Sequence, residues 1–248
     1  MKKDTSWEKA ADWYDELLQG KDTYQQKVIL PGMLRMLEIK SGERVLDLAC
    51  GQGFFSLAFA NAGAEVVAAD ASAELIRRAK RHQNIMYHVA AANNLGFVKS
   101  GSIDAIAFIM AIQNIDDVHA VLKECARVLA PKGKMILVMN HPSFRVPKHS
   151  DWEFDEEQHV EHRRVDQYLS EAKVKIQTHP GDAPADYTIS FHRPLQFYFK
   201  AFAKTGFAVT RLEEWISHRK SQKGPRAAAE DRARKEIPLF LALEAKKS

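Results

Sequence analysis

The sequence has few of the features that mark secreted, membrane-spanning or disordered proteins. Only two of its 248 residues are cysteine, too few for a disulfide framework or for a zinc site made of cysteines. No apolar run approaches the ~18–20 residues that span a bilayer. The first residues enter an amphipathic helical pattern without the apolar core of a signal peptide. We therefore expect a cytoplasmic protein with no membrane partner.

The chain also has little excess of one sign of charge. It contains 36 Lys and Arg residues and 32 Asp and Glu residues, which gives a formal net charge of +4. The densest basic stretch, residues 211–236, mixes basic and acidic side chains and is interpreted as a solvated surface. A nucleic-acid binder usually carries a more concentrated basic face, so nucleic acid is not the expected partner. Hydrophobic residues make up 46% of the chain, enough for a large core.

Strands alternate with helices over the first half of the chain. The predicted strands are 44–48, 64–70, 84–92, 102–112 and 134–140, and the predicted helices are 54–63, 71–83 and 116–130. This alternation predicts βαβ units and a parallel sheet with helices on both faces. The second half resumes with strand 186–191, helix 193–206, strand 207–215, a charged connection and strand 237–245.

We expect a single domain over residues 1–248. Its predicted parts are N-terminal helices 1–40, a ligand-binding half 41–141, a polar, proline-containing lid insertion 142–185, and C-terminal strands and a helix 186–248. The helical pattern over residues 7–37 is expected to break at Gly20 and at the Pro31-Gly32 pair.

The glycine-rich turn after the first strand carries the clearest chemical signal. Gly51 and Gly53 let the backbone approach a ligand closely, and ligands of open α/β sheets bind beyond the carboxyl ends of the strands. A dinucleotide site needs a third glycine where this chain has Ser56, and the charge of Asp47 would repel a pyrophosphate. The turn favours a ligand with a cationic end, such as S-adenosylmethionine. The alternative is a turn that only reverses the chain, with Asp47 as a buried cap.

The segment VLDLACGQG, residues 45–53, resembles the first motif of class I S-adenosylmethionine-dependent methyltransferases, in particular the ubiquinone- and menaquinone-type group. Four further stretches resemble that family in order: AEVVAAD at 64–70, which ends at Asp70, AAANNLGF at 90–97, FIMAIQNIDD at 108–117 and ECARVLAPKGKMILV at 124–138. The resemblance implies a Rossmann-like α/β fold, with a mostly parallel seven-stranded sheet whose last strand is antiparallel. It also implies methyl transfer from S-adenosylmethionine to an O, N or C atom of a small molecule.

The resemblance implies a set of cofactor-binding residues. They are Asp47, Ala49, Gly51 and Gly53 at the methionine end, Asp70 at the ribose, Ala71, Ala92 and Asn93 around the adenine, and Met110 and Ala111 near the sulfonium. The chain departs from the family at Ala91, which stands where an acidic residue contacts the adenine amino group. Asn93 is the alternative source of that contact.

Methyl transfer from a sulfonium needs mainly positioning, and a general base only when the acceptor must lose a proton. His141, directly after the fifth strand, is the candidate base, and the alternative is a histidine that caps the strand end. Residues predicted to contact the acceptor are Tyr14, Tyr24, Gln113, Asn114, Arg145, Trp152, Arg163, Arg164 and His192.

Each acceptor residue also has a purely structural interpretation: helix packing for the tyrosines, turn hydrogen bonds for the amides, and a solvated mixed-charge segment for the insertion. If arginines turn inward, they indicate an acceptor with a carboxylate or phosphate. His159 and His162 have helical spacing, but nothing completes a site around them and no metal is expected.

Other functions stay open beside this one. The chain could methylate RNA or a protein, although no Asn-Pro-Pro-Tyr sequence follows the fourth strand. It could be an NAD(P)-dependent oxidoreductase, which Asp47 and Ser56 disfavour. It could also bind S-adenosylmethionine without catalysis and regulate a partner.

Overall fold

A seven-stranded sheet forms the centre of the computed structural model, which describes residue 20, residues 22–177 and residues 187–247. The strands are β1 (Arg44–Leu48), β2 (Glu65–Asp70), β3 (Ile85–Val89), β4 (Ile103–Ile109), β5 (Leu129–Asn140), β6 (Ser150–Asp155), β7 (Val160–Val165), β8 (Ala172–Gln177), β9 (Tyr187–His192), β10 (Phe207–Trp215) and β11 (Phe240–Lys247). The order in the large sheet is β10-β11-β5-β4-β1-β2-β3. The strands β1 to β5 pair in parallel, and β11 runs antiparallel to both neighbours. This confirms the predicted sheet.

Helices cover both faces of this sheet. They are α1 (Leu30–Leu37), preceded by a π-helical turn (Gln25–Ile29), α2 (Phe54–Asn61), α3 (Ala73–Arg78), α4 (Val118–Val128), α5 (Leu195–Lys204) and α6 (Ala227–Glu236), with a 3-10 turn at Ile112–Asn114. Alternate residues of each strand point to opposite faces, so Leu46 joins the core under α4 and α5 while Val45 joins the core under α1 and α2. In the part of the chain that the structure describes, no helix is long and apolar enough to cross a membrane.

The expected break at Pro31-Gly32 is wrong, because the helix runs through both residues. Pro31 lies in the first turn of α1, where its missing N–H is tolerated. The helix begins with a wider, π-helical turn just before Pro31, in which the N–H of Leu30 donates to the carbonyl of Gln25. The other predicted break, Gly20, adjoins residues 1–19, which lie outside the described part of the chain.

The charged connection expected before β11 contains a helix, α6. Its sequence, AAAEDRARKE, has no apolar stripe of large residues, and only Ala229 and Ala233 are buried. The hydrophobic periodicity that predicts a helix is therefore absent, although alanine, glutamate, arginine and lysine all favour helix formation.

The insertion is built from short antiparallel strands. The hairpin of β6 and β7 packs beside α6, and β8 pairs with β9 in a second small sheet. The predicted strand 186–191 therefore pairs with the insertion and not with the main sheet. Arg193 anchors this unit, since its buried guanidinium donates to the carbonyls of Ile115 and Asp116 after β4.

Gly32 fits α1 closely against the end of β10. A Cβ at this position would lie 2.5 Å from the Trp215 ring, which is buried and donates from Nε1 to Glu213. We expect Gly32→Ala to lower the free energy of unfolding by about 1–2 kcal/mol, since overpacking outweighs the helix propensity gained. Urea denaturation measures this. The control is Gly224→Ala, where a Cβ meets no atom within 4 Å, and an equal loss there would contradict the packing argument.

Candidate functional site

The turn between β1 and α2 lies at the edge where the parallel strands end. Its residues alternate into the left-handed region, with φ of 58° at Ala49, 57° at Gly51 and 79° at Gly53. A Cβ at Gly53 would also overlap the Tyr87 hydroxyl of β3. Glycine is therefore favoured at position 53 by its left-handed backbone, and a larger residue would also have to displace the Tyr87 side chain. The non-glycine Ala49 carries backbone strain of the kind that clusters at functional sites.

Asp70, the last residue of β2, holds this turn in place. One carboxylate oxygen accepts the N–H of Gly51 at 2.9 Å, and the other accepts the N–H of Ser72 at 2.8 Å. Ser72 in turn caps α3 by accepting the N–H of Leu75. A carboxylate oxygen can accept more than one hydrogen bond, so these two bonds do not by themselves prevent Asp70 from accepting the hydroxyls of a ribose, and that contact stays a prediction.

Asp47 lies beneath the turn rather than at its surface. It is 1% exposed, and one carboxylate oxygen accepts the hydroxyl of Ser56, on the first turn of α2, at 2.5 Å. Burial and, to a smaller extent, the nearby charge of Asp70 raise the pKa of Asp47 to about 7, while the hydrogen bond from Ser56 opposes this shift. The pair ties β1 to α2 and places a carboxyl group directly under the glycine turn, where it becomes negatively charged as the pH rises through about 7.

The chemistry of this set of groups fits a cationic ligand. Residues 45–56 contain no lysine or arginine, and Asp47 and Asp70 interact electrostatically. A pyrophosphate would meet two carboxylates and no cation, whereas the ammonium and sulfonium of S-adenosylmethionine would be attracted. The residues present therefore suit S-adenosylmethionine better than a dinucleotide.

The predicted adenine residues lie around the end of β3. The N–H of Ala90 donates to the carbonyl of Asp70 at 2.8 Å, which places the following loop beside β2. Ala71 and Asn93 are exposed, and Ala92 is half-buried. Their contact with an adenine ring stays a prediction.

A second strained residue, Met110, stands at the end of β4 with a φ of 54°. Its N–H donates to Val138, and its carbonyl accepts the side-chain amides of Gln113 at 2.7 Å and Asn114 at 3.4 Å. These bonds hold the half-buried Ala111 and the 3-10 turn. The Gln113 amide is thereby oriented so that Oε1 is buried without a partner. An unsatisfied acceptor at this edge costs free energy that a bound hydrogen-bond donor would recover.

His141 follows β5 and is buried. Its Nδ1 accepts the N–H of Ser143 at 3.2 Å, so its Nε2 carries the proton and donates to Glu214 of β10 at 2.9 Å. Burial lowers the pKa of the imidazole, although Glu214 opposes that shift. Both nitrogens are occupied in this conformation, and the carbonyl of His141 accepts the N–H of Arg145. The role of His141 as a base stays a prediction, and its contacts are those of a residue that orders the turn 141–145.

Arg145 projects from that turn into an accessible position. The described residues offer its guanidinium no hydrogen bond or carboxylate, and burial on its other sides lowers its pKa. It interacts electrostatically with Tyr24 and with Arg163. Arg163 is held by the carbonyl of Phe144 and the hydroxyl of Ser150, and its guanidinium lies 5.0 Å from the centre of the Trp152 ring. Four predicted acceptor residues are thus brought to one place.

The other predicted acceptor residues are not part of this cluster. Arg164 is exposed and paired with Glu153 at 3.0 Å. His192 is buried, and its Nε2 donates to the carbonyl of Tyr168 at 2.7 Å. Tyr14 lies outside the described residues.

Sequence reasoning missed three contributors. In the sequence Ser56 stands out only as the residue in place of a dinucleotide glycine, yet a serine on the first helical turn after a strand-ending aspartate is a usable signal. Glu214 lies 73 residues from His141 and gives no local signal. Arg219 lies 4.8 Å from the centre of the Tyr24 ring, whereas the sequence predicts only that it belongs to a solvated charged segment.

Comparison with known proteins agrees with this geometry. Residues 46–137 match a family model described as a methyltransferase domain. A ubiquinone biosynthesis O-methyltransferase from Xanthomonas oryzae is 35% identical over 102 residues, which is 39% of this chain. The match spans less than half of the curated relative, 43% of its length.

Solved structures share the fold over most of the chain. An S-adenosylmethionine-dependent methyltransferase from Mesorhizobium loti has a TM-score of 0.67 at 23% identity, covering 88% of this chain and 96% of that one. A 1,6-didemethyltoxoflavin N1-methyltransferase from Burkholderia thailandensis, solved with S-adenosylhomocysteine, has a TM-score of 0.55 at 13% identity over 97% and 88% of the two chains. Residues 46–137 therefore resemble a methyltransferase domain in sequence, and the strand order over most of the chain is the fold of these S-adenosylmethionine-dependent methyltransferases.

Proposed function

We propose that this protein transfers a methyl group from S-adenosylmethionine to an O, N or C atom of a small molecule that carries an anionic group. The observation that carries the proposal is the glycine turn, closed by Asp70 and underlain by the buried carboxylate of Asp47. That turn offers a cationic adenosyl ligand the carboxylate of Asp70 and closely approachable backbone, with the buried carboxyl of Asp47 underneath.

The chain's own residues would bind and orient the reactants. When bound, the cofactor supplies an electrophilic methyl group on a sulfonium. Asp70 would accept the ribose hydroxyls, and the negative charge of Asp47 would favour the methionine end. Met110 and Ala111 would lie beside the sulfonium, and Gln113 Oε1 would accept a hydrogen bond from a donor at that edge. Positioning of this kind can contribute on the order of 7–11 kcal/mol of barrier reduction to an in-line displacement.

The acceptor's anionic group is supported by Arg145 and Arg163. Two guanidiniums that repel each other stand together, and the first has no carboxylate partner in the described ranges. Bringing like charges together costs free energy that a bound carboxylate or phosphate would recover. Arg163 is pinned by three contacts, so the site is partly organised before binding.

The direct test is incubation of the protein with isotopically labelled S-adenosylmethionine and a metabolite extract, followed by mass spectrometry. We expect one or a few anionic compounds to gain the labelled methyl group. Label that appears only in RNA or in protein would replace the small-molecule proposal, and cofactor binding with no labelled product in any fraction would favour a non-catalytic role.

Arg145 gives a sharper test once that acceptor is known. We expect Arg145→Gln to raise the KM for the acceptor at least tenfold, which corresponds to the ~1.5–3 kcal/mol of a charge-assisted hydrogen bond. The dissociation constant of S-adenosylmethionine should stay within about twofold. Arg164→Gln is the matched control, since Arg164 is exposed and already paired with Glu153. Equal effects of the two variants on KM would remove Arg145 from the acceptor site.

A further inference from the structure

A cleft of about 640 Å³ opens beside Tyr24. It is lined by Tyr24, the connection 219–227, and Glu230 and Arg234 of α6. This connection follows Trp215, which pairs with Phe240, and Phe240 pairs with Asn140 at the end of β5. The cleft therefore lies at the same edge of the sheet as the turn 141–145.

The cleft has more positive charge than its own carboxylates neutralise. Arg226 pairs with Glu156 and lies over the Phe154 ring, and Arg234 pairs with Glu230 and Asp231. The three remaining cations are Arg219, Lys220 and Lys223. The structure gives these three no carboxylate partner among residues 20, 22–177 and 187–247.

The walls of the cleft are fixed by contacts on several sides. The N–H of Ser221 donates to Asp231 at 2.7 Å, which fastens the connection to α6. Tyr24 donates to or accepts from Ser217 at 3.1 Å, and its ring packs edge-on against Phe240. The pairing of Arg226 with Glu156 joins the cleft to the β6–β7 hairpin of the insertion. A charged cleft with walls held in this way is organised without a ligand.

We propose that this cleft binds a phosphate or diphosphate group of the acceptor, in addition to the anionic group held at Arg145 and Arg163, and so helps to position the acceptor for methylation. The inference rests on the proposed function and narrows its acceptor to a phosphorylated small molecule. Three uncompensated cations match the charge of a phosphate monoester, close to −2 at neutral pH, or of a diphosphate, better than a single carboxylate. Lysine ammoniums bind phosphate as point charges, and the volume suits a small-molecule group. Tyr24 connects the two regions, because it lines the cleft with Arg219 over its ring and also interacts electrostatically with Arg145.

The test uses inorganic pyrophosphate as the probe and isothermal titration calorimetry as the measurement. We expect pyrophosphate to bind the full chain. The double variant Lys220→Gln/Lys223→Gln should raise the dissociation constant of pyrophosphate at least tenfold. The matched control is Lys200→Gln/Lys204→Gln, which removes the same charge from exposed positions on α5 outside the cleft, and should change the constant less than twofold. Raising the salt concentration should weaken binding to the wild type more than to the cleft variant.

Equal dissociation constants for the two double variants, or no binding of pyrophosphate to the wild type at millimolar concentration, would overturn the proposal. So would a single-stranded RNA that binds more tightly than pyrophosphate and loses that affinity with the same two lysines, since the cleft would then serve nucleic acid. S-adenosylmethionine is titrated into every variant as well, and its affinity should not change. A wild type that binds pyrophosphate but not S-adenosylmethionine would contradict the proposed function, while supporting the phosphate-binding role of the cleft.

Discussion

Replacing Asp70 with alanine is expected to weaken the binding of S-adenosylmethionine by ~1.5–3 kcal/mol, or about 10- to 150-fold in dissociation constant. The variant loses the charge-assisted hydrogen bonds to the ribose. It also releases the N–H groups of Gly51 and Ser72, so the glycine turn loses the acceptor that closes it. Calorimetric titration of the cofactor measures the effect.

Asp104→Ala is the matched control for this change. Asp104 also accepts a backbone N–H, that of Arg44, at 2.9 Å, but it lies at the start of β4, at the opposite edge of the sheet. Its loss should leave cofactor affinity within about twofold of the wild type. An unchanged dissociation constant in Asp70→Ala would remove Asp70 from the site.

Asp47→Asn is expected to stabilise the fold at neutral pH and to weaken cofactor binding. The folded protein holds the Asp47 proton up to about pH 7, whereas the unfolded chain releases it near 3.8. The folded state therefore binds more protons across that window, and the wild type's free energy of unfolding falls as pH rises through it. Because the pKa rises from 3.8 to about 7 on folding, the free energy of unfolding of the wild type should be lower by about 4 kcal/mol at pH 8, relative to Asp47→Asn. At pH 3.5 this penalty should be almost absent.

The measurement is urea denaturation of both proteins, without cofactor, at several pH values. The wild type should also bind S-adenosylmethionine more tightly as pH rises through 7, because ionised Asp47 attracts the cation, and Asp47→Asn should lack this dependence. Stability curves of wild type and variant that run parallel from pH 4 to pH 8 would show that burial of this carboxyl has no such cost.

The parts of the site that could be predicted are those with local signals. Hydrophobic patterning predicts the strand and the turn with Gly51 and Gly53, because glycine allows the left-handed conformations that such a turn needs. The choice of Asp70 as a site residue rests instead on the resemblance to the methyltransferase family. The seven-stranded sheet followed for the same reason, since each βαβ unit is a local pattern.

The parts that could not be predicted depend on contacts between distant segments. His141 meets Glu214, and Tyr24 meets Arg219, only because β10 and β11 return to the edge beside β5. The pairing of β8 with β9, and the helix α6 with its alanine-only buried face, likewise have no signal in hydrophobic periodicity. Charge patterning alone could not separate the paired Arg226 from the uncompensated Lys220 and Lys223.

The most direct test of the central claim is a pair of calorimetric titrations, one with S-adenosylmethionine and one with NADH. A glycine turn backed by Asp47 and Asp70, with no cation between residues 45 and 56, predicts stoichiometric binding of the sulfonium cofactor and none of the dinucleotide. Tight binding of NADH, with no heat from S-adenosylmethionine, would contradict the account.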